Sequence, residues 1–387
     1  MANSSRHSIY YDAESTYGTT EASPGFSAIR HTGVTLGTQK SGIISEELRS
    51  DRGITDLRHG NKNVTGDVST ELSYGAHDDL FEAGQGGTWE TSAVTITAST
   101  ISATASGNTV DDSGSGFGSF AAGNMVKISG FSGATTNNGI ARVTAASSAS
   151  LTLDGLTLTD DAAGESVTIT VMDSLRTGTT RRSFSVIRDF SELTDGRYQL
   201  YPGSEVNTIA LSAGLDAIVT TSFGFIAKGQ TSSSSAPGGS TFGAPGTTEP
   251  FVSFDGCLSE GGAESAIVTA FDVTSDNGLE PKFNLCSDEQ AQPGIGRANV
   301  TGNITAYFDN DTLLNKFLNE TESNLLISVT DAAGNTFGVY APKVKYTGGQ
   351  PDISNEANST LSMPYQALQD VTVSGKEATL IFFKLDA

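Results

Sequence analysis

Positive charge is scarce: the 387 residues hold 22 Lys and Arg against 44 Asp and Glu, a net charge of −22 at pH 7. A surface that grips a nucleic-acid backbone needs clustered Lys and Arg to displace counterions, so the balance argues against a nucleic-acid clamp. It does not argue against DNA passing along a like-charged wall. Cysteine is almost missing. Cys257 and Cys286 form no Cys-x-x-Cys pair, so two ordinary buried or partly buried thiols are expected, with a bond between them left open. The four histidines, His7, His31, His59 and His77, make neither His-x-x-x-His nor His-Glu-x-x-His, which counts against zinc. No apolar run approaches the roughly 20 residues of a membrane helix, and the late ATLIFF reads as a strand, so no membrane insertion is expected. The start, MANSSRHSIYYDAESTYG, lacks the apolar stretch of a secretion signal, and synthesis in a cytoplasm is the expectation.

What is present is alternation. Thr and Ser interleave with Val, Ile, Leu and Phe in many short runs, the period-two pattern of strands with one wet face. Gly, at 44 residues, punctuates these runs without a three-residue period, so a turn-rich all-β protein with short flanking helices is predicted. Texture divides the chain. Residues 1–25 read as a polar arm. Residues 26–90 and 174–228 read as one β domain interrupted by an inserted small β domain at 91–173. Residues 229–250, rich in Gly, Ser, Thr and Pro, read as a linker or loop, and 251–387 as a second large β domain.

Within the first domain, Val68, Thr70, Leu72 and Tyr74 alternate with Asp67, Ser69, Glu71 and Ser73, predicting a strand over 64–74. Asp78 and Asp79 before Leu80, Phe81 and Ala83 then predict a short helix, stopped by the glycines at 84–87. The same order recurs later. Asn63, Val64, Thr65 and Gly66 reappear as Asn299, Val300, Thr301 and Gly302, again followed by an alternating strand and the helix-like DTLLNKFLN. Duplication of one strand, turn and helix unit is the favoured reading. Residues 41–60, SGIISEELRSDRGITDLRHG, mix acids and bases and read as an exposed loop or short helix suited to polar contacts between molecules.

Chemistry is hard to find. No Gly-x-Ser-x-Gly elbow occurs, and the glycine-rich DDSGSGFGSFAAGN lacks both a phosphate-loop Gly-Lys-Ser/Thr and a dinucleotide fingerprint. His77 beside Asp78 and Asp79 reads as a polar residue at a turn before a helix. Asp309, Asp311 and Glu320 imitate a calcium loop, but Leu313 and Leu314 fall where a ligand and a glycine are required. No catalytic residue, metal ligand or cofactor is expected.

At GNKNVTGDVSTELSYGAHDDLFEA the chain resembles the major tail tube proteins of long-tailed, non-contractile, siphovirus-like bacteriophages. The likeness covers residues about 25–90 and 180–230 well and the last third in outline. It implies a tail-tube-type β-sandwich or barrel core with a flanking helix, here duplicated. It further implies rings of identical copies, stacked axially into the tube of a virion tail through which DNA passes without specific binding. Partners implied are further copies of the chain and other tail proteins such as the tape measure and tail terminator. Two core units per chain favour three copies per ring over six, and the insert is expected outside the tube. Ser45, Glu46, Glu47, Arg49, Asp51, Arg52, Asp56 and Arg58 would lie in the loop that reaches an adjacent subunit or ring. An extracellular or surface β-domain binding module, another virion component and a hydrolase stay open as alternatives.

Overall fold

The structure, a computed structural model, describes residues 3–253, 256–265, 267–352 and 358–387. The first half begins with β1 (His7–Ala13), β2 (Gly25–Ile29), β3 (His31–Val34), β4 (Gly37–Ile44), β5 (Leu57–Glu71) and the helix α1 (Asp78–Gln85). An insert follows: β6 (Thr95–Ala98), β7 (Ile101–Thr104), β8 (Thr109–Asp112), β9 (Met125–Ser129), β10 (Gly139–Ala146), β11 (Ser150–Asp154) and β12 (Val167–Arg176). The first half resumes with β13 (Phe184–Phe190), β14 (Tyr198–Gly214), β15 (Thr220–Ala227), β16 (Thr231–Ser233) and β17 (Thr241–Phe242). The second half holds β18 (Gly256–Glu260), β19 (Ala263–Glu264), β20 (Val268–Asp276), β21 (Glu280–Phe283), β22 (Gln290–Gly294) and β23 (Asn299–Tyr307). After α2 (Thr312–Leu318) it ends with β24 (Ser323–Thr330), β25 (Thr336–Tyr346), β26 (Pro351–Asp352), β27 (Thr360–Ala367) and β28 (Ile381–Leu385).

The fold is an all-β sandwich with short helices, and its sheet does not close into a barrel. One layer is an antiparallel band in the order β3/β4, β5, β15, β14, β20, β23, β27, β26. The other layer holds β1 and β13 in the first half and β18 and β24 in the second. Two long strands serve both layers. The first part of β14 pairs with β13 and its last part with β15, with a register slip between Val206 and Thr208. In the same way β25 pairs with β24 along its length and reaches β27 at its end. Such slips bend a strand, which lets it turn from one layer into the next.

Alternation makes the core. On β5, Val64, Val68 and Thr70 point inward and are buried, while Asp67 points to solvent. The inward residues of both halves join one continuous cluster, in which Phe81 of α1 packs against Phe223, Phe337 and Phe382 with ring centroids 5.3, 5.3 and 5.0 Å away. These edge-on and tilted contacts suit the aromatic quadrupole. Helix α1 starts at His77, carries Asp78 and Asp79 at its positive end and stops at Gly86, whose φ of 61° favours glycine. Gly84 lies so close to β14 that a Cβ there would stand 2.4 Å from Cδ1 of Ile209.

The insert has its own core, with Ile101, Val110, Phe117, Val143 and Ile169 inside, but it is not a loose appendage. Strand β12 runs without a break through residue 173, where the sequence texture changes, and pairs with β28 from Asp173↔Lys384 to Arg176↔Ile381. Fully buried Arg142 donates to Asp370 at 2.6 Å and to the carbonyl of Lys376 at 2.8 Å. Tyr340 donates to Asp154 at 2.5 Å. Two other stretches are also held by the body: β1 pairs along its length with β13, and Phe242 of the Gly/Ser/Pro-rich stretch stacks on Phe26 at 5.3 Å.

Several expectations shift in detail. The strand predicted over 64–74 starts earlier and ends at Glu71. The loop or short helix expected over 41–60 is instead an arm of paired strands, β4 and β5, with only residues 45–56 as its looped tip. Helical structure fails there because Gly42, Gly53 and Gly60 interrupt it and the two flanks can pair with each other. Cys257 and Cys286 are free and exposed rather than buried.

Candidate assembly surfaces

The structure gathers the charged residues of the arm at one tip but joins them only to one another. Arg49 forks onto Asp51, with its closest nitrogen 3.0 Å away, and Arg58 reaches Asp56 at 3.0 Å. Thr55 donates to Glu47 at 3.2 Å, and the Ser45 amide donates to the carbonyl of Asp56 at 3.0 Å. The Arg49 guanidinium holds the Asp51 carboxyl below the usual range. Glu46 and Arg52 are exposed, and Arg52 takes a φ of 60°, a left-handed conformation unusual for its type. Arg58 lies within β5 itself, beyond the looped tip.

Charge was the conspicuous signal, and it hid an apolar one. Ile43, Ile44, Leu48, Ile54 and Leu57 all stand exposed on this arm, Leu48 at 99%. Such a patch marks an interaction surface. Its sequence signal, IIxxxL followed by IxxL, is legible once the arm is known to be extended. The arm touches the body where Lys62 meets Asp288 at 2.9 Å and donates its amide to the Asp288 carbonyl at 2.8 Å.

The repeated tetrapeptides occupy matching places. Val64 and Val300 are completely buried, each on the central strand of its half. A Cβ on Gly66 would stand 2.5 Å from the Leu36 backbone, and one on Gly302 2.1 Å from the Asp272 carbonyl, so both positions require glycine for close strand approach. Asn63 and Thr65 flank Val64 half-buried; Asn299 is exposed and accepts from Gln366 at 3.0 Å, and Thr301 is half-buried. The ladders around them slip at matching points. His31↔Thr70 is followed by Gly33↔Ser69, as Val268↔Ala306 is by Ala270↔Thr305. Phe184↔Ser204 is followed by Val186↔Tyr201, as Ser323↔Val344 is by Leu325↔Ala341.

The solvent face of the band is polar. The segments 64–71, 208–214, 220–227, 270–276, 299–307 and 360–367 contain no Lys or Arg, whereas Asp67, Glu71, Asp272 and Asp276 are among them. Partial burial raises the Asp272 carboxyl above its usual value. His77, by contrast, is buried at the head of α1 with its Nε2 3.4 Å from the Glu71 carbonyl, and desolvation lowers its pKa to about 4. Among the described residues no group of His, Cys, Asp and Glu is placed to hold a metal ion, and no helix is long and apolar enough to cross a membrane.

The family model described as phage tail tube protein matches residues 4–367. The chain belongs to the phage tail tube protein family. No curated protein matches it. As a tail tube family member it is a structural, non-catalytic, tube-forming protein of the virion tail and works with other structural proteins of the tail.

Proposed function

We propose that copies of this chain close into rings that stack axially as the tail tube of a long-tailed, non-contractile phage, with the band lining a lumen through which the genome passes. The observation that carries the reading is the band itself: a continuous antiparallel sheet, open at both edges among the described residues, whose segments 64–71, 208–214, 220–227, 270–276, 299–307 and 360–367 hold no Lys or Arg, while Lys40, Arg58 and Lys62 of β4 and β5 lie toward the arm. An open edge is a template for another strand, and closing a ring removes it. A wall of Thr, Ser and Asn with scattered carboxylates repels phosphate and offers no cation to hold it.

The two halves are two copies of one tube unit, a reading supported by the elements in common order and by ladders that slip at corresponding residues. Three chains then supply six units, and three copies per ring are favoured over six. The tip residues Ser45 to Arg58, together with the exposed apolar residues beside them, make contacts between subunits or rings. Tape measure and tail terminator proteins are the expected axial neighbours, the insert decorates the outside, and the chain is made in the host cytoplasm. Negative-stain microscopy of the purified protein tests the reading. Stacked rings with an open centre are expected; a monodisperse monomer across salt and concentration would overturn it.

A further inference from the structure

Within the chain the two halves meet strand to strand. The last part of β14 pairs with β20, from Thr208↔Asp276 to Gly214↔Ala270. Each partner is used on both sides, since β14 also pairs with β15 and β20 with β23. Both partners have counterparts that are used on one side only. The end of β25 together with β26 pairs with β27 through Tyr346↔Tyr365, Pro351↔Leu361 and Asp352↔Thr360. That is the way β14 pairs with β15 through Val206↔Phe225, Leu211↔Thr221 and Ser212↔Thr220. At the opposite end, β3 and β4 lie on β5 through Val34↔Val68, Gly37↔Thr65 and Gln39↔Asn63. Strand β20 lies on β23 through Phe271↔Ile304, Thr274↔Thr301 and Asp276↔Asn299. Among the described residues, the outer edges of β3, β4 and β26 have no strand partner.

We infer that these two free edges join between copies of the chain, in the register that the in-chain seam dictates. Gly348 of one copy then lies opposite Gln39 of the next, Gly349 opposite Thr38, Gln350 opposite Gly37, Pro351 opposite Leu36 and Asp352 opposite Thr35. The partner is a second copy, joined head to tail, so the contact repeats until the ring closes. This register rests on the tube reading and gives it a residue-level geometry. The same transfer moves the arm. In the chain the hairpin β21–β22 leaves β20 and lies across the first half, where Gln292 donates to Glu205 at 2.8 Å and Tyr17 donates to the carbonyl of Ala291 at 3.5 Å. The arm leaves β4 at the matching point, so it lies across the second half of the neighbouring copy, where Lys345 holds the place of Glu205.

Pro351 sets the two seams apart. In the in-chain seam the Asn277 amide donates to the Asn207 carbonyl and the Leu215 amide to the Thr269 carbonyl, so alternate residues between them, Leu211 included, face β20. Pro351 holds the place of Leu211 and has no N–H, which removes one donor from the seam between copies. A proline on a free edge also restrains unguided pairing before the ring forms.

Cysteine cross-linking tests the register. The full chain carries Cys257→Ser and Cys286→Ser to remove its exposed thiols, with Gly37→Cys and Gln350→Cys added; a side chain at position 37 meets only the Thr35 carbonyl, 3.8 Å away. Mild oxidation of assembled protein is expected to give a ladder on non-reducing gels that stops at the copy number of the ring. A control pairs Gln350→Cys with Thr38→Cys, whose side chains fall on opposite faces of the sheet. The matched pair should cross-link at least ~10-fold better, because a disulfide needs Cβ atoms close together on one face. Mixing the two single-cysteine chains should give a dimer alone. Equal yields for the two pairs, or no cross-link in rings visible by microscopy, would overturn the register and leave the tube reading standing. Absence of rings from the unaltered protein would overturn both.

Discussion

Two hairpins leave the band at corresponding points and meet different fates. The β21–β22 hairpin lies against the first half through Lys62 and Asp288, Gln292 and Glu205, and the amide of Gln290. The arm of β4 and β5 projects instead, with Ile43, Ile44, Leu48, Ile54 and Leu57 in solvent. The difference is one of supply, since the chain provides a body for the second hairpin and none for the first. On the proposed assembly the arm's partner is another copy, and its exposed apolar side chains are the contact that copy would cover.

The sharpest way to break this comparison is to remove the arm. Replacing residues 45–56 by an Asn-Gly turn should abolish assembly and leave a folded monomer, because among the described residues the tip's side chains bond only within the arm, to one another and, through Asp56, to exposed Arg58. Sedimentation and microscopy would show it, and tubes that still form would place the arm outside the contact. A second difference between the halves lies at the helices, where α1 begins at buried His77 and α2 at Asp311. The folded pKa of His77, about 4, is below its unfolded value of 6.5, so the unfolded chain binds the proton first. Stability is therefore complete above pH 6.5 and is lost as pH falls toward 4, by about 3 kcal/mol from this residue. Denaturant titrations at pH 7 and pH 4.5 should differ accordingly, and His77→Asn should flatten that part of the profile.

Smaller effects sharpen the likeness instead. Gly66→Ala and Gly302→Ala should each cost about 2 kcal/mol or more in urea unfolding, since each Cβ would overlap a neighbouring backbone. Tolerance at one site alone would break the correspondence between the halves. Lys62→Ala removes a pair that is largely in water and should cost less than about 1 kcal/mol, while raising the hydrogen-exchange rate of the β21–β22 hairpin.

How much of this was legible depended on where each residue's partner lies. The core part of β5 and helix α1 could be read because their signals are local: alternation about Val64 and Val68, acids before Leu80 and Phe81, glycine after. Strand β4 has no such alternation because most of both its faces are wet, so its pairing with β5 is invisible in a hydrophobic pattern. Nothing near Arg142 in the run GIARVTA marks it as buried, because the acid it pairs with in the interior lies 228 positions away. The seam of β14 with β20 is similarly a long-range choice that no short window contains. At the tip the charges dominate the sequence pattern yet bind one another, while the exposed isoleucines and leucines lie in short runs that read as apolar only once the arm is known to be extended.

Strand β12 belongs at once to the insert, through β6 and β9, and to the body, through β28. A pull on the insert along that strand therefore arrives as shear on the rungs from Asp173 to Arg176, all strained together, instead of peeling them one at a time. Force on the insert is thus shared by these four residue pairs and by the bonds of Arg142 to Asp370 and Lys376 and of Tyr340 to Asp154.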